Sequence, residues 1–291
     1  MTDAQRISQL EQQLVDSDEG VTTLPRDQKI DLLNELAWLL SDTDLKRAYA
    51  LAETAYTLST AVHDDEEPYQ IGIAYSLRTQ GYLNMRFDHY TFALTQLLQA
   101  LPLVETLSLT DGLADVFEGI FCVHFQIGNL PEALAVAYKQ LAAAEQIQDR
   151  RRILNAYNNL AVIQMRLANH AAADELWQQA LQLAQEIGHT RVACITHINL
   201  AQLHLAMSVY EGALDDALRG LQLSQAYGYE LFTIYALHNA GQCHLHLQQT
   251  HQALDYLDRA LARARLLEAN FIEVSVLLTF GAAYRDLQQL A

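Results

Sequence analysis

The 291-residue chain reads as an all-α protein, a solenoid of stacked helix–turn–helix repeats. Three observations predict this. A small residue recurs along one set of amphipathic segments at Gly81, Ala161, Ala201, Gly241 and Gly281, in steps of 40, with the large Phe121 as the exception. A second set carries Ala93, Ala133, Ala173, Ala213 and Ala253, again 40 apart. Both sets place apolar residues at three- and four-residue spacing, the signature of amphipathic helices. A fixed period of this length marks a repeat architecture. Small residues at the seam let two backbones approach closely, and a bulky side chain there would overpack it at roughly 1–3 kcal/mol per site.

The chain opens with Ile7, Leu10 and Leu14 on one face of residues 3–16, which predicts a short leading helix covering the first repeat. Asp18-Glu19-Gly20 ends it, and Leu24-Pro25 leads into the next helix, so residues 1–26 are read as cap and linker. The solenoid then occupies 27–291, with repeats near 27–68, 69–108, 109–148, 149–188, 189–228 and 229–268 and a half repeat at 269–291. The first repeat aligns through Ala37 and Ala48, and an acidic insertion, His63-Asp64-Asp65-Glu66-Glu67-Pro68, stretches the step to the second. In repeat two, Pro102 removes a backbone donor where a helix should still run, which predicts a kink or an early end. In repeat three, Pro131 fits a first helical turn. Arg150-Arg151-Arg152 opens repeat four and reads as a solvated run whose charge opposes the helix dipole. Gly188 and Gly228 stand where second helices should stop in a left-handed conformation. The final segment around Gly281-Ala282-Ala283-Tyr284 is a first helix without its partner, which predicts a longer protein of which this is the front part.

Asn159-Leu160-Ala161, Ala173, Trp177 and Ala180 form the best copy of the unit, followed by Asn199-Leu200-Ala201, Ala213, Ala217 and Gly220, then Gly241, Ala253, Leu257 and Ala260. This pattern resembles the tetratricopeptide repeat in a 40-residue, long-helix form, similar to the N-terminal arrays of bacterial signalling proteins. The resemblance covers roughly residues 28–291 and implies a right-handed superhelix that binds protein or peptide in a concave groove lined by first helices.

Composition narrows the function. Thirty-five acidic against 18 basic side chains give a formal charge of −17. Nucleic-acid binding depends on basic surface that releases counterions, so the balance speaks against it, and equally against docking on anionic membranes. The N-terminus lacks the basic start and apolar run of a signal peptide, and there is no long apolar run to span a bilayer. Cys122, Cys194 and Cys243 lie in separate repeats without a disulfide framework, which fits a reducing, cytoplasmic setting.

The resemblance assigns groove positions six, three and two residues before the small residue and one, four and five after it. These give Tyr75, Arg78, Tyr82 and Arg86 in repeat two and Asp115, Glu118, Phe125 and Gln126 in repeat three. Repeat four supplies Asn155, Asn158, Asn159, Met165 and Arg166. Repeats five and six add Asn199, Gln202, Tyr235, His238, Asn239, Gln242 and His246, and the last helix Arg285 and Asp286. Asn159, Asn199 and Asn239 form a ladder, since a carboxamide both donates and accepts. Such a ladder either holds an extended peptide or bonds neighbouring helices and sets repeat geometry. Arg78, Arg86, Arg166 and Arg285 would suit an acidic ligand end through their planar forks, or are scattered surface charges.

Cys243-His244-x-His246 and Cys122-x-His124 fall short of the four converging ligands of a closed zinc site. His124, His204 and His244 share one repeat position, occupied by Tyr284 in the last copy, which points to interhelix packing. No phosphate loop or nucleophile motif occurs, so no metal, cofactor or enzymatic activity is expected of this segment. The expected role is a protein- or peptide-binding sensor region, preceding an output such as a GGDEF cyclase, a nucleotide cyclase or a histidine kinase. The alternatives are a peptide-pheromone receptor of transcription-regulator type and a stand-alone adaptor. The unfinished last unit also offers an apolar face for homodimer pairing.

Overall fold

A computed structural model describes residues 3–41, 43–61 and 67–290. The acidic insertion at 63–66 lies outside the described residues. Among those described, the secondary structure is α-helical without strands. The chain divides into two units, 1–156 and 157–291.

Unit 1 begins with α1 (Asp3–Asp18), whose Leu10 and Leu14 are buried against Ile30, Leu33, Leu36 and Leu40 of α2 (Arg26–Leu40). The expected leading helix thus covers the start of the array. Arg6 closes the same seam through a two-pronged bond to Glu35, both at 2.6 Å. Then come α3 (Leu45–Thr60), α4 (Gln70–Arg86), α5 (Tyr90–Thr106), α6 (Thr110–Gln126) and α7 (Leu130–Gln146). The following helix, α8, runs Arg150–Arg166. Unit 2 continues with α9 (His170–Glu186), α10 (Thr190–Ala206), α11 (Tyr210–Tyr227), α12 (Glu230–His246), α13 (Thr250–Leu266) and α14 (Asn270–Leu290).

From α4 onward the helices start every 20 residues, so the turn inside a repeat and the turn between repeats are alike. All but the one at Gly228 close in the same way. At Asp88 the backbone enters the left-handed region (φ 61°), Asp88 N–H donates to Met85 O, and His89 N–H donates to Asn84 O at 2.8 Å. These paired bonds satisfy carbonyls that a helix end otherwise leaves open. The left-handed residue recurs at 108, 128, 148, 168, 188, 208, 228, 248 and 268. Gly188 and Gly228 fill it as the sequence predicts, with Gly128 beside them. At the other positions Asp, Ser, Gln, Ala and Glu accept a conformation that costs an L residue about 1–2 kcal/mol.

The seams carry the predicted small residues. Ala93, Ala133, Ala173, Ala213 and Ala253 have no exposed surface. A Cβ on Gly81 would meet Leu97 Cγ at 2.6 Å, and one on Gly241 would meet Leu257 at 2.8 Å. Phe121 fits because Ala137 stands at the position that Leu97 and Leu257 hold in other copies: the bulk has moved to the other side of the seam. Unit 2 centres on Trp177, buried among Ala161, Ala173, Leu200 and Leu203, with its indole N–H donating to Asn158 Oδ1 at 3.2 Å.

Two expectations are corrected, the early end at Pro102 and the solvated arginine run. Pro102 does not end α5, which runs a further turn to Thr106, because Leu97, Ala100 and Val104 are buried on both sides of it and hold the segment by packing. The arginine run is not wholly solvated. Arg150 and Arg151 are exposed, but Arg152 turns inward, and Asp149 accepts from the Arg151 and Arg152 amides at 2.9 and 3.1 Å, supplying the negative charge that the helix start needs.

Candidate functional site

The first helices of unit 1 present one polar wall. Residues three and four apart share a helix face. This brings Asp31, Asn34, Glu35 and Trp38 of α2 beside Tyr75, Arg78 and Tyr82 of α4, then Asp111, Asp115 and Glu118 of α6, then Arg152 and Asn155 of α8. Two cavities open on the wall. One, of about 460 Å3, is lined by Trp38, Tyr82, Asp115, Glu118, Asp149, Arg151, Arg152 and Asn155. The other, of about 440 Å3, is lined by Asp31, Asn34, Glu35, Trp38, Tyr69, Tyr75, Arg78, Asp111 and Arg152. Trp38 and Arg152 belong to both.

Arg78 is the structural centre of the wall. Its guanidinium lies 3.9 Å over the Trp38 ring and 4.7 Å over the Tyr75 ring, and Nη1 donates to Asp115 Oδ2 at 3.0 Å. Arg152 donates to the same carboxylate from Nε and Nη2, at 2.8 and 3.0 Å, and to Asp149 Oδ2 at 2.6 Å. Asp115 is therefore shared between two arginines from helices on either side of it. Charge-assisted bonds of this kind are the strong ones, and in a buried setting they hold only while every partner is present. The tyrosines bridge neighbouring first helices too: Tyr69 donates to Asp31 at 3.0 Å and Tyr75 to Asp111 at 3.0 Å. Burial, with Asp111 beside it, pushes the Tyr75 hydroxyl up to about 12.

In unit 2 the corresponding positions carry uncharged groups. Asn239 is wholly buried, and its Nδ2 donates to Ile198 O at 3.0 Å. His238 bonds Thr279 Oγ1 at 2.9 Å, and burial lowers its imidazole to about 4. His197 and His204 both meet Asp216, at 2.8 and 3.0 Å. His244 bonds Gln249 at 2.6 Å and stacks on Tyr256, while His246 stacks on Tyr210 with centroids 4.7 Å apart. His124 likewise meets Asn129 across its turn at 3.4 Å. These contacts account for the histidines of the Cys/His motifs through packing and turn closure. The three cysteines are free thiols, each raised above its ordinary value by burial.

The expected groove residues thus divide. Tyr75, Tyr82, Arg78, Glu118 and Asn155 come together around the unit 1 cavities, whereas Arg86 is exposed, its Nη1 3.4 Å from the Tyr82 hydroxyl. Asn158, Asn159, Asn199, Tyr235 and Gln242 are half-buried in unit 2, and Arg166, Gln202, His246 and Arg285 are exposed. The asparagine ladder is uneven, because Asn239 is sealed inside and spends its amide on a neighbouring helix. The reading of four arginines as forks for an acidic ligand fails at Arg78, which is 5% exposed and already paired with Asp115. Sequence reasoning missed Trp38, Asp31 and Glu35, although the same register counted from Ala37 names all three. It also missed Arg152 and Asp149, which lie outside that register, in the opening turn of α8.

No family model matches the chain, and no curated protein sequence matches it. Solved structures share its fold. A signal transduction ATPase with numerous domains (STAND) from Pyrococcus horikoshii, with a tetratricopeptide repeat sensor, aligns with a TM-score of 0.69 at 15% identity, over 89% of this chain and 40% of that one. NprR in complex with its cognate peptide NprX aligns with a TM-score of 0.67 at 14% identity, over 93% and 78%. The Cut9 and Hcn1 hetero-tetramer of the APC/C aligns with a TM-score of 0.67 at 17% identity, over 93% and 46%. The fold is a helical-repeat solenoid of tetratricopeptide type. The chain spans about two fifths of the length of the Pyrococcus horikoshii STAND protein. No helix among the described residues is long and apolar enough to cross a membrane.

Proposed function

We propose that this chain is a protein- or peptide-binding repeat region, non-enzymatic in itself, that serves as the sensor part of a larger cytoplasmic signalling protein of bacterial type. The observation that carries this reading is the pair of adjoining cavities on the first helices of unit 1, walled by Trp38, Tyr75 and Tyr82. Aromatic walls with a few fixed polar groups are how proteins hold ligands in orientation. Similar folds in a STAND protein with a repeat sensor and in a complex of NprR with a peptide support it. Ligand docking would bias an output domain of the cyclase or histidine-kinase classes. The test is capture of partners by the intact chain beside its Trp38→Ala variant, with circular dichroism to verify folding. Loss of a specific partner from the folded variant is expected; equal recovery of every partner would overturn the placement.

The likeness to NprR favours one other reading, a peptide-pheromone receptor that controls a transcription regulator. Fusion to a reporter repressor, titrated with secreted peptides, separates the two. Homodimer pairing has its own observation. Val274 is 57% exposed where its counterpart Ile234 is 0%, and a Cβ on Gly281 would meet nothing within 4 Å. Light scattering tests it: a dimer that Val274→Lys dissociates is expected, and a monomer at every concentration removes it.

A further inference from the structure

We infer that the cavity between Trp38, Tyr69 and Tyr75 receives a cationic side chain, lysine or arginine, of the bound peptide, paired with Asp31 and Asp111. This rests on the peptide-binding reading above and narrows it to a ligand class.

Charge around that cavity is unevenly matched. Each arginine in it is already matched: Arg78 bonds Asp115, and Arg152 bonds Asp115 and Asp149. Glu35 is matched by Arg6. Asp31 and Asp111 are different. Among the described residues their bonded partners are the neutral hydroxyls of Tyr69 and Tyr75, and neither forms an ion pair. Two carboxylates without an ion-pair partner on an aromatic-walled cavity favour a cation, because a carboxylate supplies charge and a ring face supplies the attraction of its quadrupole. The wall already shows this chemistry on itself, since the Arg78 guanidinium lies over the Trp38 and Tyr75 rings.

A second observation points to a peptide rather than a bare ammonium ion. Arg78 is 5% exposed, lines the same cavity, and its Nε has no hydrogen-bond partner. A buried donor of this kind calls for an acceptor. A peptide residue brings both halves together, a cationic side chain for Asp31 and Asp111 and a backbone carbonyl for the Arg78 Nε–H. An acidic ligand would instead face the two unmatched carboxylates. Burial also pushes the Asp31 carboxyl up, and a bound cation offsets that cost.

The test uses the intact chain and three blocked tripeptides, alanine-X-alanine with X arginine, citrulline or glutamate. Binding is followed by calorimetry and by the indole N–H resonances of Trp38 and Trp177. The arginine peptide should bind at least about tenfold more tightly than the citrulline peptide, moving the Trp38 signal and leaving that of Trp177. The preference should shrink as salt rises from about 0.05 to about 0.5 M. Asp31→Asn and Asp111→Asn keep an acceptor for each tyrosine, with folding verified by circular dichroism, and together they should erase the preference for arginine over citrulline. Equal binding of arginine and citrulline peptides would overturn the cationic assignment and leave the peptide-binding reading standing. So would preference for glutamate, or arginine binding indifferent to the double variant. If none of the three binds, the assignment falls, and the partner capture described above judges the broader reading separately.

Discussion

In unit 1 the first helices α4, α6 and α8 are joined by charge: Arg78 and Arg152 meet on Asp115. In unit 2 the first helices α10, α12 and α14 are joined without it, through Asn239 to the Ile198 carbonyl and His238 to Thr279. The same helical pair, in the same register, is stapled to its neighbours by two chemistries. Ionic staples need every partner present and leave charged residues on the wall. Neutral staples disappear into the interior and depend on an uncharged imidazole. Each unit carries one of the two tryptophans, Trp38 and Trp177, so each staple has its own reporter.

The largest test removes the shared acceptor. Asp115→Ala strands the buried Arg78 without its carboxylate and leaves Arg152 only Asp149, and stability sensed at Trp38 in urea should fall by about 3–5 kcal/mol. Asn239→Ala, the matching cut in unit 2, should cost about 1–3 kcal/mol, the penalty of stranding one carbonyl. Equal losses would erase the distinction.

Acid separates the staples next. His238 titrates near 4 when folded, against an ordinary value of 6.5, so the unfolded chain takes up its proton first. Stability is full above about 6.5, declines as the pH drops towards about 4, and levels off below, a total on the order of 3 kcal/mol. Asp149 moves the other way: burial raises it, but the bonds from Arg152 outweigh that and hold it low. Its contribution is intact throughout that window and fades only in stronger acid, below the ordinary carboxylate range. Melting between pH 7 and 5 should therefore shift the Trp177 transition and leave that of Trp38. His238→Gln should abolish the shift.

A seam test follows. Gly81→Ala drives a methyl into Leu97 and should cost about 1–3 kcal/mol by overpacking. At the same register, Gly281→Ala meets open space and should stabilise α14 by up to about 1 kcal/mol through helix propensity. Thermal melts of the two variants should move in opposite directions. The smallest effect is at Ala168, whose φ of 59° favours glycine. Ala168→Gly should stabilise by about 0.5–1 kcal/mol, the relief of left-handed strain less the added freedom of the unfolded chain.

These predictions also mark what could be read from the chain before its structure. Helices and seams were legible because small residues at a fixed spacing have one physical use, and Phe121 was explicable once Ala137 was seen across from it. The turns were half legible: glycine announces a left-handed residue, whereas Gln148 or Glu268 adopts it only because the paired carbonyl bonds enforce it. The wall was legible only in part: the register named Tyr75, Tyr82 and Glu118, but not Arg152 or Asp149. Arg78 and Asn239 were expected to face a groove and both turn inward, because each is spent on a neighbouring helix, at a residue 37 or 41 positions away. No local pattern encodes that.

The near-repeating closures every 20 residues carry a cost in folding. A connection that looks the same within a pair and between pairs contains no phase: it does not tell a helix whether its true mate precedes or follows it. Side chains make that choice, through the fit of Trp177 against Ala161 and its bond to Asn158 and through the staples between first helices. Weakening one such match removes a reading frame as well as a contact, and the helices beyond it can then couple one place out of step.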